Sequence, residues 1–457
     1  MNRRELLQTG AMALATTGTT RWMMGQRTIP QPMNDHAAVP RTNWAKNLHY
    51  STDRVYAPAD AAQVPEIVKA NAKLKGLGSR HCFNNIADST AAQISMREVK
   101  GISIDAAAHT VTVGAGIAYG ELAPVLDKAG FALANLASLP HISVGGTVAT
   151  ATHGSGVRNK NLSAAVRALE IVKADGSVIH LSRDHDGDRF LMAVVHLGAI
   201  GVVTKVTLDI LPRYDMSQVV YQNLSFDQLE HNLEAIMASG YSVSLFTDWQ
   251  KNRVNQVWIK DRAIAGAIPK ALPPMFYGAT RQKHKLHPID DHPADACTEQ
   301  LGTIGPWYLR LPHFKMEFTP SSGEEIQTEY FVARSEGYKA IRAVEKLKDR
   351  ITPHLFITEL RSIAADDLPM SMAHQRDSLA IHFTWKPETE AVLNVLPDIQ
   401  KALEPFGVRP HWGKVFTLDA AYLRKQYPEL EHFRAFAKEM DPTEKFRNAF
   451  LDHNLFG

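Results

Sequence analysis

Gly78-Ser79-Arg80-His81-Cys82-Phe83-Asn84-Asn85 follows the apolar-basic run Ala72-Lys73-Leu74-Lys75 and leads into no helix-forming pattern. Glycine lets a backbone approach a ligand closely, and the residues after it offer N–H groups in a turn. His81 falls one step beyond that turn, at the lip of whatever the turn cradles. A second small-residue segment lies further on: Ser138-Leu139-Pro140-His141-Ile142-Ser143-Val144-Gly145-Gly146-Thr147-Val148-Ala149-Thr150-Ala151-Thr152-His153-Gly154-Ser155-Gly156. Either alone reads as turn chemistry. Together the two are specific, and Ser143, Gly145, Gly146, Thr147, Thr150, Thr152, Gly154 and Gly156 can supply donors of the kind that cradle a phosphate. A dinucleotide fingerprint is missing, because Gly114-Ala115-Gly116 lacks the third glycine and the acid-tipped strand. A conventional Rossmann domain is therefore disfavoured.

Outward from these loops the chain alternates short strands and helices. Helical runs cover Ala61 to Lys73 and Ala118 to Lys128, with period-two strands at Ile102–Ile104 and Thr110–Val113 between them. Ala165 to Leu181 reads as two strands turning at Asp175-Gly176, and Ile200–Leu208 as a further strand. Beyond Pro212 the pattern resets. Strands are expected at Gln218–Tyr221, Tyr241–Trp249, Lys315–Thr319, Glu329–Val332, Leu355–Ile363 and Ser378–Trp385. Helices are expected at Asp227–Ala238, Gly337–Asp349 and Glu390–Leu403, and residues 264–296 form a Pro-rich loop of the kind that serves as a lid or oligomer arm. The fold class is α+β in two domains, residues 40–213 and 214–457, the second a sheet with helices on one face.

A chain of 457 residues suits two or three domains, since single cores rarely grow past roughly 250–300 residues. Fifty basic and 48 acidic residues leave a net charge of +2, which gives no footprint for nucleic acid. Two cysteines, Cys82 and Cys297, are too few for a disulfide scaffold and read as unpaired thiols. Arg3-Arg4 directly before the mildly apolar Leu6–Ala15 resembles a twin-arginine signal, so residues 1–35 are read as signal and linker. The expected location is periplasmic or secreted, or cytoplasmic if the signal does not function. No other segment has about 18 uninterrupted apolar residues, so no stable membrane association is expected after export.

Three segments of the second half carry candidate chemistry. In Ile357-Thr358-Glu359-Leu360-Arg361-Ser362-Ile363 a strand puts Glu359 and Arg361 on one face and Leu360 on the other. The apolar flanks favour a partly buried pair over a surface one. Ile381-His382-Phe383-Thr384-Trp385 likewise puts His382 and Thr384 on one face, and His411-Trp412-Gly413-Lys414 sets a histidine and a lysine among aromatics. Paired acids and bases suit a polyol, which presents both donors and acceptors.

The two loops together resemble the FAD-binding domain of the vanillyl-alcohol-oxidase and p-cresol-methylhydroxylase (PCMH) flavoprotein superfamily, in particular its alditol oxidase (xylitol oxidase) branch. The likeness extends over nearly all of the chain after about residue 40. It implies a PCMH-type FAD-binding fold and a C-terminal substrate (cap) domain of the aldonolactone-oxidase type. That branch carries Gly-Ser-Gly-His-Ser-Phe-Asn in the first loop, its histidine bonded to the flavin 8-methyl carbon; by this match His81 is the covalent attachment residue. A neutral imidazole is the nucleophile such a bond needs. Arg80 and Cys82 depart from the pattern's glycine and serine; Arg80 either binds phosphate or crowds the loop. The resemblance further implies FAD contacts from Leu77, Gly78, Ser79, Arg80, Cys82, Asn84, Ser138, Ser143, Gly146, Thr150, Ala151, Thr152, His153, Val203 and His411. It gives Ser138, Glu359, Arg361, Thr384 and Lys414 to the polyol.

The implied reaction takes hydride from a terminal primary alcohol of an alditol to flavin N5, giving the aldose, with O₂ as acceptor and H₂O₂ as product. Lys414 and Arg361 orient and polarise the reacting hydroxyl, and Glu359 accepts from neighbouring hydroxyls. Oxidase and dehydrogenase both remain open. A sugar-1,4-lactone oxidase or dehydrogenase of the same fold is the alternative, and a flavin carrier without turnover a second. The expected assembly is a monomer or small homo-oligomer. No metal is expected: His284, His287, Asp290, Asp291 and His292 lack regular ligand spacing and read as a solvated loop. Asp441-Pro442-Thr443-Glu444-Lys445-Phe446-Arg447-Asn448 resembles the family's closing segment, which folds back toward the flavin domain.

Overall fold

The computed structural model describes residues 39–263 and 273–457. The expected signal segment, and residues 264–272 of the Pro-rich stretch, lie outside them. No helix of the described residues is long and apolar enough to cross a membrane.

The first part is built on β1 (Lys75–Leu77), β2 (Ile102–Asp105), β3 (Thr110–Gly114), helix α1 (Tyr119–Lys128), the short helix α2 (Val144–Ala149), β4 (Val166–Val172), β5 (Val178–Ser182) and β6 (Val202–Asp209). Strands β2-β3-β6-β4-β5 form one antiparallel sheet in that order. Gly176 takes φ +80° in the β4–β5 turn, as Asp-Gly hairpins require. The sheet's inner residues Val111, Val113, Val166, Leu169, Ile171, Val206 and Leu208 pack against Leu122, Leu126, Val144 and Val148 of the two helices.

The second part is one large antiparallel sheet. Its main strands are β7 (Asp215–Ser225), β8 (Ser242–Thr247), β9 (Arg253–Ala263), β10 (Ile326–Ala333), β11 (Leu355–Ile363) and β12 (Ser378–Trp385), ordered β7-β9-β8-β11-β12-β10. Helices α3 (Phe226–Met237), α4 (Gly337–Glu345) and α5 (Thr389–Leu403) cover one face. Period-two patterning decides which face. Tyr330, Leu360, Ile381 and Phe383 join Leu229, Ile341, Leu396 and Ile399 in one apolar cluster. Their alternates Glu329, Glu359, Arg361, His382 and Thr384 necessarily point the other way.

Two expectations are corrected. Lys315–Thr319 is not a strand: the His313 and Phe314 amides both donate to the Ser138 carbonyl (3.0 and 3.3 Å), which draws this segment against the first part instead of into the sheet. The Pro-rich stretch is not a free solvated loop. Ala279–Arg281 pairs with β7, Ile289 and Leu286 enter an apolar cluster, and Gln300 brackets the Leu286 amide and carbonyl (2.8 and 2.7 Å). His287, read from sequence as solvated, is consequently buried and stacked on His292 at 5.0 Å. Two smaller differences concern helix length. The first helix is only Val64–Ala70, started by Pro65, and the run from Gly337 breaks after Glu345.

The C-terminal segment returns to the first part. Lys445 and Phe446 carbonyls accept from the Leu74 amide (3.0 Å) and Lys75 Nζ (3.0 Å), and the Asn448 amide spans the Asn85, Ile86 and Asp88 carbonyls.

Candidate active site

Both small-residue loops and the polar face of the large sheet border one cavity, whose lining also includes Lys75, His196, His287 and Phe314. Because the loops and the charged sheet face border the same space, a cofactor held on one side and a substrate on the other can meet in it.

The loops are stitched to each other and to the sheet. The Ser79 amide donates to Ser143 Oγ (3.2 Å) and the Ser143 amide to Ser79 Oγ (3.1 Å), so each hydroxyl keeps its own proton to donate. A Cβ on Gly78 would meet Ser143 Oγ at 2.6 Å, which is why glycine stands there. The Gly145 amide is committed to the Ala115 carbonyl (2.9 Å), so it drops out of the expected phosphate donors. Phe83 N–H donates to the Gly413 carbonyl (2.8 Å), and the Asn84 amide to the Trp412 and Lys414 carbonyls (2.8 and 2.7 Å). The second loop ends on β11, where Gly156 N–H donates to the Ser362 carbonyl (2.8 Å). Each glycine-rich loop thus carries one half of the polar cluster: the first fixes Lys414, the second Arg361.

Leu77, Gly78, Ser79, Arg80, His81 and Cys82 border the cavity, as do Ser138, Gly146, Thr150, Thr152, His153 and Val203. Asn84, Ser143 and Ala151 do not. Asn84 is spent on the Lys414 segment, Ser143 joins the loops, and Ala151 is fully buried with φ +52°.

Arg80 also adopts a left-handed backbone, φ +63°, where a glycine would be unstrained. Its guanidinium donates to the Thr42 carbonyl (2.6 Å), so that bond offsets the strain. Left-handed backbone costs a non-glycine residue about 1–2 kcal/mol, and a charged hydrogen bond returns about as much. Arg80→Gly is therefore expected to melt within a few degrees of the parent. Arg80→Ala keeps the strain and loses the bond, so it should melt lower than Arg80→Gly, with flavin content unchanged in both. Thermal melts in the reverse order would refute this account.

His81 stacks on Trp44 (5.2 Å between rings) and its Nδ1 faces the Ser79 carbonyl (3.0 Å). Its Nε2 is enclosed with no partner. Burial pushes its pKa down to about 3, so the imidazole is neutral. Burial likewise drives the Cys82 thiol up to about 12, leaving it protonated. Elsewhere on the lining, His196 Nδ1 accepts from Gly198 N–H (3.0 Å), which places its proton on Nε2; that atom is also enclosed and unpartnered. Two orphaned ring nitrogens on a glycine-lined cavity fit a flavin dinucleotide.

Opposite the loops, strand register aligns Phe246, Glu359, His382 and Glu329 in one row across β8, β11, β12 and β10. Glu329 is the hub. Its carboxylate accepts from Arg361 (2.8 Å) and Lys414 Nζ (2.6 Å), and His153 Nε2 lies 3.2 Å away. Burial alone would raise its pKa; Lys414, His153 and Arg361 together hold it well below the usual carboxylate range. Glu359 is treated the same way: burial raises, while Arg361 and His313 (2.8 Å) overcome it and keep the group ionised. Burial lowers Lys414, with Glu329 opposing. His382 sits 2.6 Å from Lys414 Nζ, and burial with that charge pushes it down to about 4. The site therefore balances two carboxylates against one guanidinium and one ammonium, with neutral histidines between.

Sequence reasoning brought Glu359, Arg361, Thr384, Ser138, His411 and Lys414 to this cavity but passed over Glu329 and His313. Glu329 follows the same alternation rule in Ile326-Gln327-Thr328-Glu329-Tyr330-Phe331 that singled out Glu359. His153, Glu329 and His411 bring ligand-type atoms within 4.8 Å of one another. Arg361 and Lys414 already neutralise that carboxylate, so a metal ion there would face two positive charges.

Residues 52–182 match the family model of the FAD binding domain, and residues 321–454 that of D-arabinono-1,4-lactone oxidase. The chain is 45% identical to the alditol oxidase of a Streptomyces species over 91% of its length and 99% of that protein. It is 28% identical to L-gulono-1,4-lactone dehydrogenase of Mycobacterium tuberculosis (90% of this chain, 97% of that one) and 26% to mouse L-gulonolactone oxidase (92% and 99%). In fold it resembles the crystal structure of cholesterol oxidase from B. sterolicum, with a TM-score of 0.73 at 16% identity over 91% of this chain and 96% of that one. With that identity over nearly its whole described length, the chain belongs to the alditol oxidase branch of the PCMH-type flavoproteins and is an FAD-dependent oxidoreductase.

Proposed function

We propose that this enzyme oxidises the terminal primary alcohol of an alditol of the xylitol or sorbitol type to the aldose, passes the electrons to O₂, and holds its flavin covalently through His81. One observation carries the reading: the charge-balanced polar cluster on the sheet face looks across the same cavity that the two glycine-rich loops border. The 45% likeness to an alditol oxidase, against 26–28% to the lactone enzymes, favours the alditol over the lactone.

FAD, when bound, supplies the hydride acceptor. The chain's own groups decide what lies against it. Arg361 donates to Ser138 Oγ (3.2 Å), so the Ser138 proton turns to the substrate. Lys414 donates to His382 Nδ1, placing the imidazole proton on Nε2, which faces Thr384 Oγ1 at 3.1 Å. Thr384 therefore accepts from His382 and offers its own proton to a substrate oxygen. Lys414 and Arg361 stabilise negative charge on the oxygen that loses its proton. Glu359 accepts from a neighbouring hydroxyl. A site of this kind leaves buried polar groups unpaired when a substrate hydroxyl is missing, and rejects such analogues strongly.

The test is anaerobic bleaching of the purified holoenzyme's flavin. Xylitol or sorbitol is expected to bleach it and gulono- or galactonolactone to do so much more slowly, with H₂O₂ released on admitting air. Lys414→Ala should retain flavin and slow bleaching by roughly 10²–10³-fold, the usual cost of one preorganised donor. Faster bleaching by a lactone would transfer the assignment to the lactone enzymes, and unchanged bleaching would remove Lys414 from the mechanism.

A further inference from the structure

Behind Glu359 lies a charged residue that the reaction does not touch. Lys260 is on β9, 1% exposed, and borders no part of the cavity. Its ammonium has three protons and faces three acceptors: the Leu311 carbonyl (2.5 Å), the Pro312 carbonyl (3.1 Å) and His313 Nδ1 (3.0 Å). An imidazole that accepts at Nδ1 carries its proton on Nε2, and His313 Nε2 is 2.8 Å from Glu359 Oε1. The His313 ring is itself immobilised. Its amide donates to the Ser138 carbonyl, and its ring packs edge-on against Trp258 (5.1 Å) and Phe246 (5.6 Å).

We propose that Lys260 is a positioning residue for substrate binding, which locks His313 in the tautomer that donates to Glu359 and so presents the remaining Glu359 lone pairs to the hydroxyls of the polyol. The proposal rests on the alditol reading for the identity of the substrate, but its tautomer claim stands without it. Lysine is suited to the task because an ammonium has no lone pair and cannot take the Nδ1 proton. With a neutral group at 260, the Nδ1–H form becomes available. His313 then turns a lone pair toward the Glu359 carboxylate, the two repel, and the carboxylate swings off its aim.

The lock has a pH limit. The groups facing Lys260 are His313, Glu359, Arg361 and Cys297; burial, the dominant influence, brings the amine down to about 7, with Glu359 opposing. Cys297 is pushed up to about 12 by burial and contributes no charge at neutral pH. His313, down to about 4 through burial and Lys260, stays neutral across the same range. Raising pH through 7 removes the Lys260 proton, so polyol affinity should weaken there while the rate at saturating polyol holds.

The experiment compares holoenzyme with Lys260→Met and Lys260→Gln, the second keeping a donor for the Leu311 carbonyl. Two readouts are taken. Nitrogen NMR of histidine-labelled holoenzyme, with the His313 signals assigned by their loss in His313→Gln, should show protonated Nε2 in the parent and a population with protonated Nδ1 in both Lys260 variants. The polyol concentration that half-saturates anaerobic bleaching should rise about tenfold (about 1.4 kcal/mol). The saturated rate should stay within about threefold, and the weakening with pH should vanish. In a His313→Gln background, whose side-chain amide has no ring tautomer, the Lys260 substitutions should add nothing, as a double-mutant cycle reads directly. An unchanged His313 tautomer in the Lys260 variants, or a Lys260 effect that survives in His313→Gln, overturns the proposal. If no polyol bleaches the parent, the alditol reading fails instead, and the nitrogen spectra still decide the tautomer.

Discussion

Glu329→Gln is expected to be the most damaging single substitution in the sheet face, although Glu329 was not legible as a site residue. Gln keeps the shape and one acceptor oxygen but removes the charge that Arg361 and Lys414 share. Glu329 is fully buried at its side chain, so solvent does not replace the lost charge. Breaking a buried ion pair by removing one partner costs about 3–5 kcal/mol, because the other charge is left uncompensated. Here two cations lose their partner. Burial already lowers Lys414, and without Glu329 its pKa falls further. The ammonium proposed to polarise the reacting hydroxyl then loses its buried counter-charge. Both a lower melting temperature and bleaching slowed by about 10²-fold or more should follow. The acid limb should change too. The folded Glu329 pKa lies below its unfolded value, so it stabilises the fold above the ordinary carboxylate range and that contribution is lost as pH falls toward the folded value. Glu329→Gln should therefore flatten the acid loss of stability. A variant that melts and bleaches like the parent would show that the cations are neutralised by something other than Glu329.

What was readable in the sequence, and what was not, divides along physical lines. Alternation in Ile357–Ile363 and Ser378–Trp385 suffices to put Glu359 with Arg361 and His382 with Thr384, because a strand's period of two is local. Which strands are neighbours is not local. Glu329, Glu359 and His382 meet only because β12 lies between β10 and β11, and no pattern within any one strand encodes that order. His313 was missed for a related reason. Lys315–Thr319 looks like a strand by composition, yet two amides bonding to the Ser138 carbonyl pull the segment onto the first part. Arg80 gives the opposite case. The departure from glycine was visible at once, but its consequence depended on the Thr42 carbonyl lying within reach.

His81→Ala is expected to turn a protein that stays yellow through acid precipitation into one that releases all of its flavin. A bond to the flavin 8-methyl carbon needs a nitrogen lone pair, and an imidazole held down at about 3 by burial keeps one at neutral pH. Among the side chains flanking this position, Cys82 is the other candidate nucleophile, and its thiol, pushed up to about 12, is not ionised. Cys82→Ala should therefore keep the colour on the polypeptide, and His81→Ala should lose it. The remaining cradle is untouched by His81→Ala: Gly78 still lies against Ser143, and Ser79 and Ser143 still exchange hydrogen bonds. Flavin should accordingly still bind, reversibly and with a measurable dissociation constant, while Trp44 loses its stacking partner. Flavin that remains on acid-precipitated His81→Ala would move the attachment to another residue. Flavin released from the acid-precipitated parent would mean that no covalent bond exists, and the enclosed Nε2 of His81 would then still need another partner.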